Sequence, residues 1–383
     1  MNKATRTIVC VTGTRADYPR IKAVLREITK RPNLQLKLIV TGMHLLKAFG
    51  DTIRAIEQDG FDIAARVKMY SEDDSPYGMA KSAIRCADGI ADALRQIQPD
   101  LVLLSVDRVE TLAAAAAAAL MNLTIAHVQG GEVTGTIDES IRHAVTKLAH
   151  IHFPSTQDAA DRIIRMGEDP RYVHLVGCPY LDIIRTVDYV GKEQLARTYG
   201  FDPTKPLVIF VQHPVTTEYG QGMEQVKTSI WALQCFPDVE IVGVYSNADA
   251  GGREIIATME GSANFHIFPN IPDKDFLSLM KYAVVMVGNS SAGIREAPSF
   301  QLPAVNVGTR QNGRLRAGNV IDVPHDVDTI VKAIETALHD GDFRENLKKV
   351  TNPYGDGNSA KRIVDVLEHV ELSGQLIQKR ITY

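Results

Sequence analysis

The residues of this chain best suited to chemistry are carboxylates. Between Leu123 and His143 the sequence reads LTIAHVQGGEVTGTIDESIRH: a strand, a glycine turn, then a helix starting near Asp138. Glu132, Asp138 and Glu139 fall inside this stretch, and Asp107 follows the preceding apolar run. Close carboxylates drive each other's pKa values apart, which supplies one acid and one base near neutral pH. Plainer readings exist. An acid at a helix start is a common cap, which fits Asp138, and Asp107 beside Arg108 fits a solvated loop pair. Four carboxyls at neighbouring strand ends are less easily explained as capping. His213, past another apolar run and before Pro214, could bond a phosphate oxygen or donate a proton; a satisfied turn histidine is the alternative.

A second constellation suits an anion. Val285 to Pro298 reads as a buried strand ending at Gly288, then Asn289-Ser290-Ser291, a second glycine at 293, and a helix from about Ile294. Backbone N–H groups at a helix start, flanked by small residues, accommodate a phosphate. Ser290 and Ser291 can donate hydroxyl hydrogen bonds, and Glu296 could bind the hydroxyls of a ribose. An ordinary strand-to-helix turn is the competing explanation. Metal-ligand spacing is absent: no histidine pair has the HExxH-type interval and no cysteines are paired at ligand spacing. No metal and no cofactor are expected, and a G-x-G-x-x-G after the first strand is missing.

The elements that must hold these residues alternate. Thr7 to Thr12 is a β-branched run, with a helix following from about Pro19 to Lys30; Leu34 to Thr41, Asp100 to Leu104 and Leu123 to Val128 are further strands. The helices between them lie across Ala80 to Gln98 and along the alanine-rich Thr111 to Met121. Val173 to Gly177 is expected to be the last strand of this half. The alternation restarts with strands at Pro206–Gln212, Val239–Tyr245, Val284–Val287 and Ala304–Val307. Strands and helices in this order give an α/β fold of two Rossmann-like, doubly wound domains. Their ligands belong at the carboxyl ends of the strands and in the cleft the domains face. The expected division is an N-terminal domain over 1–178 carrying the acids, a C-terminal domain over 179–360 carrying the nucleotide grip, and a closing helix and tail over 361–383.

Composition limits the function. With 383 residues and 45% hydrophobic content, two cores can be buried. A net charge of −4 with acids and bases interspersed argues against nucleic acid or an anionic membrane as the main partner. The polar start, the strand-length run ending at Gly13 and four cysteines without metal spacing suggest a cytoplasmic protein with reduced thiols.

Several short motifs occur in a fixed order: Gly13-Thr14-Arg15-Ala16-Asp17-Tyr18, Thr41-Gly42-Met43-His44, Asp107-Arg108-x-Glu110, Gly130-Gly131-Glu132, Ile137 to His143, His213-Pro214-Val215-Thr216-Thr217, Gly288-Asn289-Ser290-Ser291 and Gly308-Thr309-Arg310-Gln311. Together they resemble the hydrolysing UDP-N-acetylglucosamine 2-epimerases of sialic acid biosynthesis, from about residue 7 to residue 360. The resemblance implies a GT-B-like fold, a UDP-sugar substrate, UDP and N-acetylmannosamine as products, and a homodimer or homotetramer. It places Arg15, Ser290, Ser291, Glu296 and Arg310 on the nucleotide and His213 near the diphosphate. Asp107 and Asp138 become acid-base residues, with His44, Arg108 and Asn247 in support. Two positions depart from the family's pattern. Val106 stands where glycine is frequent before the Asp-Arg pair, and Gln129 where glutamate is frequent. Glutamine cannot take a proton, so a glutamate's role would pass to Glu132, Glu139 or Asp138. Similar variants act on UDP-2,4-diacetamido-trideoxyglucose in legionaminic acid pathways. A retaining glycosyltransferase of the same architecture and a non-catalytic nucleotide-sugar sensor are the rival functions.

Overall fold

The computed structural model describes residues 5–14, 17–50, 52–247, 249–262 and 265–383. Among them the chain forms two compact units. Unit 1 comprises Met1–Glu132, Ile137–Arg185 and Tyr354–Tyr383; unit 2 comprises Val133–Thr136 and Thr186–Pro353. The boundary thus follows Arg185, and the segment 361–383 groups with unit 1.

Unit 1 is built on six parallel strands: β1 (Arg6–Thr12), β2 (Leu34–Thr41), β3 (Ile63–Val67), β4 (Leu101–Ser105), β5 (Thr124–Val128) and β6 (Ile151–Phe153). Their order is β3-β2-β1-β4-β5-β6. Every residue of β4 and β5 is buried, as expected for central strands covered by helices on both faces. The covering helices are α1 (Tyr18–Thr29), α2 (Pro76–Ile97), α3 (Val109–Leu120) and α4 (Asp138–Leu148). The alanines of α3 are small enough for it to pack against both α2 and α4. The C-terminal helix Ser359–His369 lies on α1 and sends Ile363, Val364 and Leu367 into the core beside Ile21, Leu25 and Ile28. Asp182 holds its start by accepting from the Ser359 and Ala360 N–H groups at 2.9 and 2.7 Å.

Unit 2 repeats the plan with β7 (Leu207–Val211), β8 (Glu240–Val244), β9 (Phe265–Phe268), β10 (Ala283–Gly288), β11 (Ala304–Val307) and β12 (Val320–Val323). The order β12-β11-β10-β7-β8-β9, read from the other edge, is that of unit 1. Val208 and Phe210 of β7, Val285 and Val287 of β10 and Val305 and Val307 of β11 meet helices Gly222–Gln234 and Val327–His339 in one core.

Two expectations need correction. Val173–Gly177 is not the last strand of the first half; β6 is. The segment runs beside β6, with His174 N–H donating to His152 O and Val176 N–H to Pro154 O, but only Val173 registers a bridge, to His152. Pro154 has no N–H to return the ladder. The helix after the serine turn is also only one turn long, Ala292–Arg295, and continues as a 3-10 turn over Ala297–Phe300. Pro298 cannot donate back to Ile294, so the α-helix stops.

Candidate active site

In each sheet the strand order reverses beside the first strand, where open α/β sheets bind ligands. In unit 1 this switch lies between β1 and β4, and in unit 2 between β7 and β10. The described candidate residues of unit 1 follow the carboxyl ends of β2, β4 and β5, and those of unit 2 follow the ends of β7, β8, β10 and β11.

In unit 1 the acids are organised by an arginine. Arg142, on α4, is fully buried. Its guanidinium bonds Asp107 Oδ2, Glu139 Oε2 at 3.0 Å and the main-chain oxygen of Glu132 at 2.8 Å. Burial alone would lower its pKa; the charges of Asp107 and Glu132 outweigh that and hold it above its ordinary value. Asp107, Glu132 and Glu139 are therefore brought together with a cation among them, which offsets their mutual repulsion. Arg142 had been given no role from sequence; the signal was the i,i+3 spacing of Glu139 and Arg142 on one helix face. Glu139 also meets His143 at 2.9 Å, one turn on. Asp138 opens α4, with Ile137 at the N-cap position. It sits inside the first turn, where the helix dipole favours its charge, and it is buried.

A second buried network lies at the ends of β1 and β2. Asp17 accepts from the Thr12 hydroxyl at 2.7 Å, the Gly13 N–H at 2.9 Å and the Thr14 N–H at 3.1 Å. His44 contacts Thr12 Oγ1 through Nε2 at 3.1 Å and Thr52 Oγ1 through Nδ1 at 2.7 Å. Since the Thr12 proton goes to Asp17, His44 Nε2 is the donor to Thr12 Oγ1. Arg108 lies 3.9 Å from Glu110, and both are buried. Glu110 accepts from the Tyr70 hydroxyl at 2.8 Å. Burial pushes its carboxyl pKa up. Gln129 turns its amide to Cys178 Sγ at 3.0 Å and is itself buried. Arg15 lies outside the described residues.

In unit 2 the centre is an amide. Asn289 is fully buried at the end of β10. Its Oδ1 accepts from the His213 N–H at 2.8 Å, and its Nδ2 donates to the His213 carbonyl at 2.9 Å. Its own carbonyl accepts from Arg310 at 3.2 Å and Gln311 at 2.8 Å. The loops after β7, β10 and β11 are thereby tied together. His213 Nδ1 accepts from the Asn247 N–H at 3.2 Å, which leaves the proton on Nε2. The Asn247 side chain bonds Asp249 at 2.6 Å. Ser290 Oγ accepts from the Ala292 N–H at 3.3 Å, Ser291 precedes the short helix, and Glu296 is fully buried behind it. Gly288 is required here. Its φ is +120°, and a Cβ would stand 2.2 Å from the Val211 carbonyl. Asn289 and Gln311 had no assigned role from sequence; only their motif neighbours did.

Unit 1 thus offers ionisable oxygens, and unit 2 offers N–H donors around a buried amide. The first set is suited to proton transfer and the second to anion binding.

Residues 26–368 match the family described as UDP-N-acetylglucosamine 2-epimerase. The chain is 36% identical over 381 residues to the UDP-N,N'-diacetylbacillosamine 2-epimerase (hydrolyzing) of Legionella pneumophila, covering 99% of this chain and 100% of that protein. It is 34% identical over 377 residues to the UDP-N-acetylglucosamine 2-epimerase of Neisseria meningitidis, covering 98% of each. Among solved structures, UDP-GlcNAc 2-epimerase from Neisseria meningitidis bound to UDP-GlcNAc superposes with a TM-score of 0.80 at 20% identity, covering 94% of this chain and 99% of that one. The two Rossmann-like units are thus of GT-B-like architecture.

Proposed function

The chain belongs to the UDP-N-acetylglucosamine 2-epimerase family, and on that premise we propose that it converts UDP-N-acetylglucosamine and water to N-acetylmannosamine and UDP by elimination and hydration. The observation that supports the reading is the acid cluster around the buried Arg142, past the carboxyl ends of β4 and β5.

The sugar's C2 proton is not acidic, since no carbonyl adjoins it. Cleavage of the bond between C1 and the bridging oxygen must therefore lead. The negative charge that develops on the departing diphosphate is stabilised by Arg310, His213 Nε2–H and the serine-turn amides. Arg15 serves the same anion. Asp107 and Asp138, with Glu132 and Glu139 beside them, take the C2 proton and give a 2-acetamidoglucal. Water then adds at C1 and a proton returns to C2 from the opposite face. General acid-base assistance of this kind is worth about 10²–10⁴ in rate.

The same reaction on UDP-2,4-diacetamido-2,4,6-trideoxyglucose is the second reading. It is favoured by the names of relatives such as the Legionella pneumophila protein. The experiment is incubation with each UDP-sugar in D₂O, without any acceptor, followed by NMR of the products. The expected result is free sugar carrying deuterium at C2 with inverted configuration there. Retention of the original C2 hydrogen would exclude elimination, and turnover that requires an acceptor would indicate a glycosyltransferase.

A further inference from the structure

We propose that His127 is a positioning residue for Asp107, acting through the peptide group of Val106. β4 ends at Ser105, and Val106 follows with φ of +61° while buried. A β-branched side chain strongly resists this left-handed conformation. Two hydrogen bonds hold it there. The Val106 N–H donates to the Val128 carbonyl at 3.1 Å. The Val106 carbonyl contacts His127 Nε2 at 2.8 Å, from the strand next door. A carbonyl only accepts, so the imidazole donates from Nε2. The ring is fully buried, and burial lowers its pKa to about 4, so it stays neutral at neutral pH.

The carbonyl held by His127 belongs to the peptide that joins Val106 to Asp107. Its orientation sets the direction in which the Asp107 chain leaves the strand end and reaches Arg142. Without the imidazole donor, that peptide can turn, and Val106 can relax toward the extended conformations it prefers. The Asp107 carboxylate would then leave its place beside Arg142. Backbone strain persists where surrounding bonds over-determine it, and such places concentrate at working sites. The inference rests on Asp107 acting in the proposed elimination.

A double-mutant cycle tests it. His127→Phe keeps a buried ring but removes the donor, and should lower kcat about 10- to 100-fold, the effect of a misplaced reacting group, with KM and UDP affinity held. His127→Gln, which offers an amide N–H near the same place, should restore most of kcat. Val106→Gly relieves the strain, because glycine accepts this φ freely; it should raise Tm by about 2–4 °C. In the glycine background, His127→Phe should cost much less in kcat, since position 106 no longer needs to be forced. An equal loss in both backgrounds, or an undiminished kcat in folded His127→Phe, overturns the proposal. ¹⁵N NMR of histidine-labelled wild-type protein reads the tautomer without relying on a variant's folding. Protonated Nε2 and bare Nδ1 at neutral pH are expected for His127, and the reverse overturns it. Asp107→Asn is measured alongside. Full turnover there overturns the elimination route and this inference with it; turnover lost there but kept in His127→Phe overturns the positioning role alone.

Discussion

Units 1 and 2 share one strand order, yet they leave their strand ends by different means. In unit 1 the chain departs from β4 and β5 through Val106 and Gln129, with φ of +61° and +68°. Side chains there hold the loops, and charged groups gather on them: Asp107 and Glu139 with the buried Arg142 on one side, the buried Asp17 on the other. In unit 2 the chain departs from β10 and β11 through Gly288 and Gly308, with φ of +120° and +79°. The loops there are tied by the neutral amide of Asn289. The contrast suits the two tasks proposed for the units. A proton-transfer group must be ionisable, and its charge must be compensated where it is buried. An anion grip needs backbone donors and close approach, which glycine permits and a Cβ obstructs.

The largest effect expected from this contrast is in unit 1. Asp107→Asn should reduce kcat by about 10²–10⁴ while calorimetry shows UDP affinity unchanged. Loss of UDP binding in this variant would break the division of labour. In unit 2, Gly288→Ala forces a Cβ against the Val211 carbonyl at a φ of +120°. It should cost about 1–3 kcal/mol of stability, read by thermal unfolding, and weaken UDP binding. A stable variant with normal affinity would show that β7 and β10 can separate without harm to the grip. Arg310→Ala should weaken UDP by about 1.5–3 kcal/mol, the value of a hydrogen bond to a charged group. Its kcat at saturation should fall less than that of Asp107→Asn. Equal losses would place Arg310 with the acid-base residues.

The smallest effect concerns acid stability. In unit 1, burial depresses His127, His150, His152 and His174, with the charge of Lys379 adding to the effect at His150; His127 and His150 come down to about 4. In unit 2, among the described residues, burial depresses His325. The unfolded chain takes up these protons near a pH of about 6.5, before the folded chain does. The stability contribution of these neutral histidines is therefore fully present above about 6.5 and is lost as pH falls toward 4. Hydrogen exchange at acid and neutral pH should show unit 1 amides losing protection first. Glu168 is affected in a separate, lower window. Burial alone would raise it, but hydrogen bonds from His152, Lys147 and Lys379 pull it down to about 2, so its contribution is lost only on further acidification. Equal loss of protection in both units would remove the histidine account.

The central strands could be read from sequence because a buried parallel strand is a continuous apolar run, as in Leu101–Ser105 and Leu207–Val211. The edge and short strands β3, β6, β9 and β12 could not: three are only partly buried and β6 has three residues, so their patterns are weak. The ordered motifs likewise located the acids and the serine turn, because turns at strand ends require particular residue types within a few positions of each other. What those residues do to one another was decided in three dimensions. Arg142 became the counter-charge of Asp107, Asn289 became the tie between three loops, and Gln129 turned to Cys178, in each case through partners 35, 76 or 49 positions away in sequence. The left-handed turn at Val106 is the clearest case. Local preference opposes it, and only hydrogen bonds from the neighbouring strand, supplied by the folded sheet, hold the valine there.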